Sequence, residues 1–352
     1  MPDFRAPCSP GLEELKMLKE TLSADLAPGG FTWWQNYLDR KRVVLASDYL
    51  LASCSQVAHH FAHTAWQNRV FNEAWFPERQ WLRRQLKTGD IQAMQMRTEA
   101  DEERLVKIEA SVTSFFQAFG SMLDCLAALT IGITGIGVDL VRADWGTLLT
   151  ARGGKGNLLL PEGTSGRSVQ SVALDRVLKA AEAGPAGWLS WALAMRNLLL
   201  HRAGRLEIRH FYRPKRASEL EYVLLLPRDP QLTEIEALLL GLGVKSLVLQ
   251  EHAGDVMAGL ITRLNGLLTE TCGALTDVWT ARRADPALIS QPEKQWKEMF
   301  PEKRPLSSFA GFSVQVPVPE GEMRVSAELG ERLIAAKVMD GERDFWVREF
   351  IN

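Results

Sequence analysis

The chain has 352 residues, of which 46% are apolar, enough for roughly two domains at about 150 residues each with a sizeable core. A disordered or fibrous protein is thereby excluded. Its 41 basic residues nearly balance 43 acidic ones, giving a formal charge of −2. That excludes binding of nucleic acid over the whole surface and requires any such site to be local.

Cys8, Cys54, Cys125 and Cys272 are scattered, with no CxxC pair and no spacing that assembles zinc ligands, so reduced, intracellular thiols are expected. The stretch Gly11–Leu26 is acidic and helix-forming. It lacks the charged and apolar regions of a signal peptide, and a cytoplasmic location is expected. Between Asp124 and Asp139 lie 14 uncharged residues, short of the roughly 20 that span a bilayer. This window is read as a buried helix, with no membrane partner.

Helical spacing of apolar residues continues through Arg40–Trp75. Phe76-Pro77 is expected to break that helix, leaving Trp81–Lys87 as a short basic one. The acidic run at Glu99–Glu103 opens a long helix to about Ile131, which the glycines 132, 135 and 137 end. A Gly-rich loop at Gly153–Gly156 precedes helices at Val169–Ala183 and from Gly187 to about Ala203, the latter closed by Gly204. The period then changes to two. Arg205–Arg213 and Glu219–Leu226 read as a β-hairpin. Helices return at Thr233–Leu240 and Val244–Ala284, and Asp285–Ser308, with four prolines, reads as a linker. Beyond it, Phe312–Val316, Met323–Ala327, Leu333–Val338 and Phe345–Phe350 alternate, with the turn signal Asp340-Gly341. The expected organisation is an N-terminal helical segment (1–39), a helical domain (40–284) with its hairpin at 205–226, a linker (285–308) and a small C-terminal antiparallel β unit (309–352). The fold class is mainly α, with minor β.

The segment that carries chemistry runs from Trp188 to Gly204 and contains Arg196, Asn197 and His201. At about 100° per residue, Asn197 and His201 lie within roughly 40° of each other on the helix, and Ser190 and Ala194 complete a small, polar stripe. Trp188, Trp191, Met195, Leu198 and Leu199 form the opposite, core-facing side. An arginine fork near a titratable imidazole suits a phosphate. Histidine can accept a proton from a ribose 2′-hydroxyl near neutral pH, and arginine can stabilise charge developing on phosphorus without a metal. A capping or solvated histidine is the competing reading. Arg205 and His210 share the same separation, but they lie in a strand pattern where His210 shares a face with Leu206, Ile208 and Tyr212 and reads as a packed residue.

Two further features point to this helix end. From Arg196 to Arg216 there are six arginines and Lys215 against the single acid Glu207, and Arg202, Arg205, Arg209, Arg213, Lys215 and Arg216 are candidate phosphate contacts. A solvated hairpin face would show the same charge. In the long helix, Ser114, Gln117, Ser121 and Asp124 form one polar stripe that calls for partners, and Asp124 could orient Arg196 or His201. A structural network would look alike.

These residues resemble the HEPN superfamily: arginine followed by asparagine, a histidine five residues after the arginine, and an upstream helix with a Ser-x-x-Asp element at Ser121–Asp124. The resemblance covers about residues 40–205. It implies an α-helical bundle that dimerises, two motifs facing each other across a cleft, and metal-independent RNA cleavage leaving cyclic phosphate ends. It implies Arg196, Asn197 and His201 as catalytic, with Ser121, Asp124 and Ser190 in support. RNA is then the partner, alongside a possible protein of a toxin–antitoxin or antiviral defence system. Some members of the superfamily bind RNA or protein without cutting, and the hairpin and C-terminal strands could serve as docking surfaces.

No cofactor is expected. Gly153–Gly156 lacks the strand and the Lys-Ser/Thr of a phosphate-binding loop, and the glycines at 132, 135 and 137 follow a helix, not the strand a dinucleotide site requires. His59 and His63 have the i,i+4 spacing of a metal pair, yet no glutamate or cysteine accompanies them in sequence. Solvated or packed histidines are expected. Gly259, Gly266 and Gly273 recur every seven residues, a small-residue groove against which another helix could pack.

Overall fold

A computed structural model of the chain describes residues 5–24, 40–88, 97–154, 158–201, 209–216, 219–285 and 288. The expected C-terminal β unit and, apart from residues 285 and 288, the expected linker lie outside the described residues, as do Arg202 and Arg205. The described chain is mainly helical: α1 (Ser9–Ala24), α2 (Arg40–Thr88), α3 (Glu99–Thr134), α4 (Trp145–Arg152), α5 (Ser165–Glu182), α6 (Trp188–His201), α7 (Glu234–Leu239), α8 (Val244–Leu247) and α9 (Ala253–Ala284). Strands β1 (Arg209–Arg216), β2 (Glu219–Pro227) and β3 (Val248–His252) form an antiparallel sheet in the order β1-β2-β3.

Two expectations are corrected. Pro77 does not break its helix, because α2 runs unbroken through it. An internal proline removes one helical hydrogen bond and costs about 3 kcal/mol. Here Ala74 and Trp75 before it and Glu78, Trp81 and Leu82 after it are all buried, so one continuous helix buries both sides of the exposed Pro77 and offsets that cost. The helix expected at Val244–Ala284 is instead α8, β3 and α9. Val248-Leu-Gln-Glu-His extends because its backbone pairs with β2, Leu225 opposite His252 and Pro227 opposite Val248.

The chain divides into two compact units, each assembled from three stretches of sequence: Met1–Lys16, Ser55–Leu126 and Asp175–Gly273 in the first, Met17–Cys54, Ala127–Leu174 and Ala274–Asn352 in the second. In the second unit, backbone carbonyls at the end of α3 are satisfied by side chains. Arg282, 5% exposed, donates from Nη1 to the carbonyls of Gly132 (3.2 Å) and Ile133. Gln170 donates to the Thr134 carbonyl at 3.0 Å and accepts the Leu160 amide at 2.9 Å. Four C-terminal carbonyls of any helix lack helical partners, and these polar groups fill that role. An 18-residue window of α3 is apolar enough to cross a membrane, but 78% of it is buried within the structure, as in a core helix.

The first unit holds the residues of interest. Its core includes Phe115, Phe116, Phe119, Met122 and Leu123 of α3, all fully buried. Trp188 and Trp191 of α6 pack edge-on against Phe119 and Phe116, with ring centroids 6.3 and 5.8 Å apart. These aromatic contacts fix the rotation of α6 about its axis. Gly187, at φ +77°, makes the turn into α6 in a conformation that a side chain would strain. Trp191 Nε1 donates to the Pro227 carbonyl at 3.1 Å, tying α6 to the end of β2.

Candidate phosphate-binding site

The aromatic face of α6 sets what the rest of the helix presents. Trp188 and Met195 are buried, Trp191, Leu198 and Leu199 are half-buried, and Ser190 and Asn197 on the other side are exposed. Of the expected polar stripe, Ser190 and Asn197 are thus exposed, Ala194 is half-buried, and the side chain of His201 lies outside the described residues. Ser190 spends its hydroxyl locally, donating to the Gly187 carbonyl at 2.9 Å, and so closes the first turn of the helix.

Arg196 turns from α6 toward α3. Its Nη2 donates to Asp124 Oδ2 at 3.1 Å, with the two side chains 25% and 30% exposed. Arg196 is thus one of the two partners open in sequence that Asp124 engages, and the side chain of His201 lies outside the described residues. The stem passes directly over Gly120. A Cβ at that position would lie 2.3 Å from Arg196 Cδ and 2.4 Å from Nε, closer than atoms can approach. Arg196 Nε is buried and finds no hydrogen-bond acceptor among the described residues.

Gly120 was not among the residues singled out from sequence. A glycine in an apolar helical run reads as ordinary close packing, and only the arginine's path over it reveals the role. The polar stripe of α3 is less buried than expected: Ser114, Ser121 and Asp124 are half-buried and Gln117 is exposed. Ser121 stands three residues before Asp124 on the same helix.

His201 is the last residue of α6, five positions beyond Arg196. The five-residue offset rotates its position about 140° from that of Arg196 and advances it about 7.5 Å along the axis. The basic segment follows as strand β1. Arg209 pairs in register with Leu225, Arg213 with Glu221, and Arg216 with Glu219, while Lys215 falls at a register shift between Pro214 and Arg216. His210 and Tyr212 stand opposite Leu224 and Tyr222, both of which are buried.

The three histidines of α2 lie together. The His59 ring centroid is 5.4 Å from that of His60 and 6.2 Å from that of His63. Burial first, and then mutual repulsion, holds His60 and His63 below the ordinary imidazole value. His63 Nε2 and Gln67 Nε2 are 2.7 Å apart, so an amide occupies a nitrogen that a metal would need. No cluster of three or more potential metal ligands is present among the described residues. Of the heptad glycines on α9, Gly259 and Gly266 have open space where a Cβ would stand, whereas Gly273 lies against Arg176.

Comparison with family models, with curated proteins and with solved structures finds no match.

Proposed function

We propose that the protein is a metal-independent endoribonuclease of the HEPN type, with Arg196 as phosphate clamp, His201 as general acid/base and Asn197 as the accompanying polar group. The single observation that carries this reading is the Arg196–Asp124 pair seated over Gly120. It directs a permanently charged fork toward α3, on the helix that ends at His201. Fixed positioning is what electrostatic stabilisation of a transition state demands.

In the proposed step His201 accepts the proton of a ribose 2′-hydroxyl. The 2′-oxygen bonds to phosphorus, the bond from phosphorus to the 5′-oxygen breaks, and that oxygen takes a proton from the protonated His201 imidazole. A 2′,3′-cyclic phosphate and a free 5′-hydroxyl result. Arg196 offsets the charge on the non-bridging oxygens, and Arg202, Arg205, Arg209, Arg213, Lys215 and Arg216 hold neighbouring phosphates. A homodimer brings two such helix ends to one cleft, and the setting is cytoplasmic antiviral defence or a toxin–antitoxin pair.

A second reading is favoured by the same ion pair. Because Arg196 is already engaged by a carboxylate, the motif could be structural, and the protein a non-catalytic RNA- or protein-binding subunit. RNA cleavage in excess chelator separates the two. Under the first reading the parent cuts, while Arg196→Ala and His201→Ala each reduce cutting at least about a hundredfold, the usual scale for general acid–base groups. Under the second, no variant cuts, and neutralising Arg209, Arg213 and Arg216 weakens salt-sensitive binding more than His201→Ala does.

A further inference from the structure

We propose that a pocket in the first unit, distinct in its residues from the Arg196 site, binds a nucleoside monophosphate. The pocket has a volume of about 920 Å³ and lies between α2, strands β2 and β3, α8 and the start of α9. That is within the range of small-molecule sites, roughly 300–1,000 Å³. The inference stands independently of the proposed RNA cleavage.

Three features define the ligand. The first is aromatic surface. Trp75, Tyr222 and Val248 line the pocket and are otherwise buried, while Phe76 remains 55% exposed at the same site. Large exposed apolar side chains beside a concave surface mark a place where a ligand completes the packing. The Arg79 guanidinium lies over the Phe76 ring, so a planar base packs against the part of this surface that the arginine leaves open.

The second is the separation of charge. Arg79 and Lys245 line the pocket, as do Glu251 and Asp255. Asn72 stands at the start of α9, since its Oδ1 would be 2.7 Å from a Cβ on Gly254, next to Asp255. From Asn72 to Arg79 the helix advances about 10 Å. Lys245 precedes Val248 and Asp255 follows His252, and strand β3 between them spans about 13 Å. Along the backbone Arg79 and Lys245 are thus each set apart from Asp255, and the Arg79 guanidinium carbon lies 5.9 Å from the Phe76 ring centroid. A phosphate suits the Arg79 and Lys245 end. Ribose hydroxyls and exocyclic amino groups are donors, and they suit the carboxylates and amide of Glu251, Asp255 and Asn72. A bare anion would leave the aromatic wall unused, and a polyamine would meet two cations.

The third is preorganisation. His252 is held by its ring contacts with Trp75 and Phe71, centroids 5.2 and 5.6 Å apart, and its Nδ1 accepts the Leu224 amide at 3.2 Å. That bond fixes the tautomer with the proton on Nε2. The wall is thus rigid before any ligand arrives, which lowers the entropy lost on binding.

The test is calorimetric titration of the full-length protein with AMP, GMP, CMP and UMP, with inorganic phosphate and adenosine as half-ligands. At least one nucleotide is expected to saturate a single site per chain with Kd below about 100 μM, and each half-ligand to bind at least about tenfold more weakly. Lys245→Ala and Phe76→Ala alter exposed side chains. Each should weaken nucleotide binding about tenfold or more with no change in thermal midpoint. The proposal is overturned by the absence of saturation with all four nucleotides at millimolar concentration, by adenosine binding as tightly as AMP, or by affinity unaltered in both variants.

Discussion

Arg196 and Asp124 are joined by one hydrogen-bonded ion pair of 3.1 Å between α6 and α3, 72 residues apart in sequence, and the arginine reaches its partner because residue 120 has no side chain. The exposure of the pair, 25% and 30%, places it among interactions worth about 0.2–1 kcal/mol. It therefore contributes little to holding the two helices together. That work falls to the buried Phe116, Phe119, Trp188 and Met195. What the pair does determine is the direction of the guanidinium.

Asp124→Asn separates those two roles. The amide oxygen still accepts a hydrogen bond, so the urea midpoint should shift by no more than about 1 kcal/mol in stability. If Arg196 clamps phosphate, loosening it should lower cleavage at least about tenfold at unchanged fold. Cleavage equal to the parent's would show that the orientation of Arg196 does not matter.

Gly120→Ala acts from the other side of the same contact. The added methyl collides with Arg196 Cδ and Nε, atoms near the middle of the side chain that cannot swing away while Nη2 remains on Asp124. Overpacking of this kind costs about 1–3 kcal/mol. Denaturant unfolding should show a loss in that range, and combining it with Arg196→Ala should recover most of it, because the truncated side chain no longer occupies the space. A loss that persists in the double variant would place the strain elsewhere.

How much of this was legible from sequence follows the type of signal. The helix ending at His201 and its apolar face were readable because Trp188, Trp191 and Met195 recur at helical spacing, and the hairpin because residues 205–226 change to a period of two. Asp124 was found as a polar residue in an apolar run, with its partner left between Arg196 and His201. Pairing across 72 residues leaves no local trace, and the same holds for Gly120. Strand β3 was missed because Val248–His252 abuts α9 and owes its extension to β2. Pro77 was misread because the local penalty was visible and the tertiary burial of Glu78, Trp81 and Leu82 was not.

The cysteines offer a test of the core. Cys8, Cys54 and Cys272 are at most 1% exposed, and burial pushes the Cys8 and Cys54 thiols up to about 12. Cys125 is half-buried and is raised by burial, then by the neighbouring Asp124 carboxylate. Only the thiolate reacts with alkylating reagents. Native protein at pH 7.5 should thus label slowly, at Cys125 first, and all four thiols should label quickly in denaturant. Rapid labelling of Cys54 in native protein would contradict the packing around it.

The start of α3 predicts how stability changes in acid. Asp101 Oδ2 accepts from the Thr98 hydroxyl at 2.7 Å and from the Thr98 amide at 3.1 Å, and Asp101 Oδ1 accepts from Arg104 Nη2 at 2.5 Å. Arg104 and Arg97 in turn bind the fully buried Glu78 at 3.0 and 2.8 Å. The Thr98 hydrogen bond above all, and then Arg104, lowers the Asp101 carboxyl from 3.8 to about 2. A carboxylate lowered on folding stabilises the native state at every pH above its unfolded value and loses that contribution as pH falls through the folded one. The parent should therefore exceed Asp101→Asn in stability at pH 5, and the gap between them should close between about pH 4 and pH 2. Urea midpoints measured across that interval test it, and a gap that stays constant would mean that Asp101 acts through its shape and hydrogen bonds, not its charge.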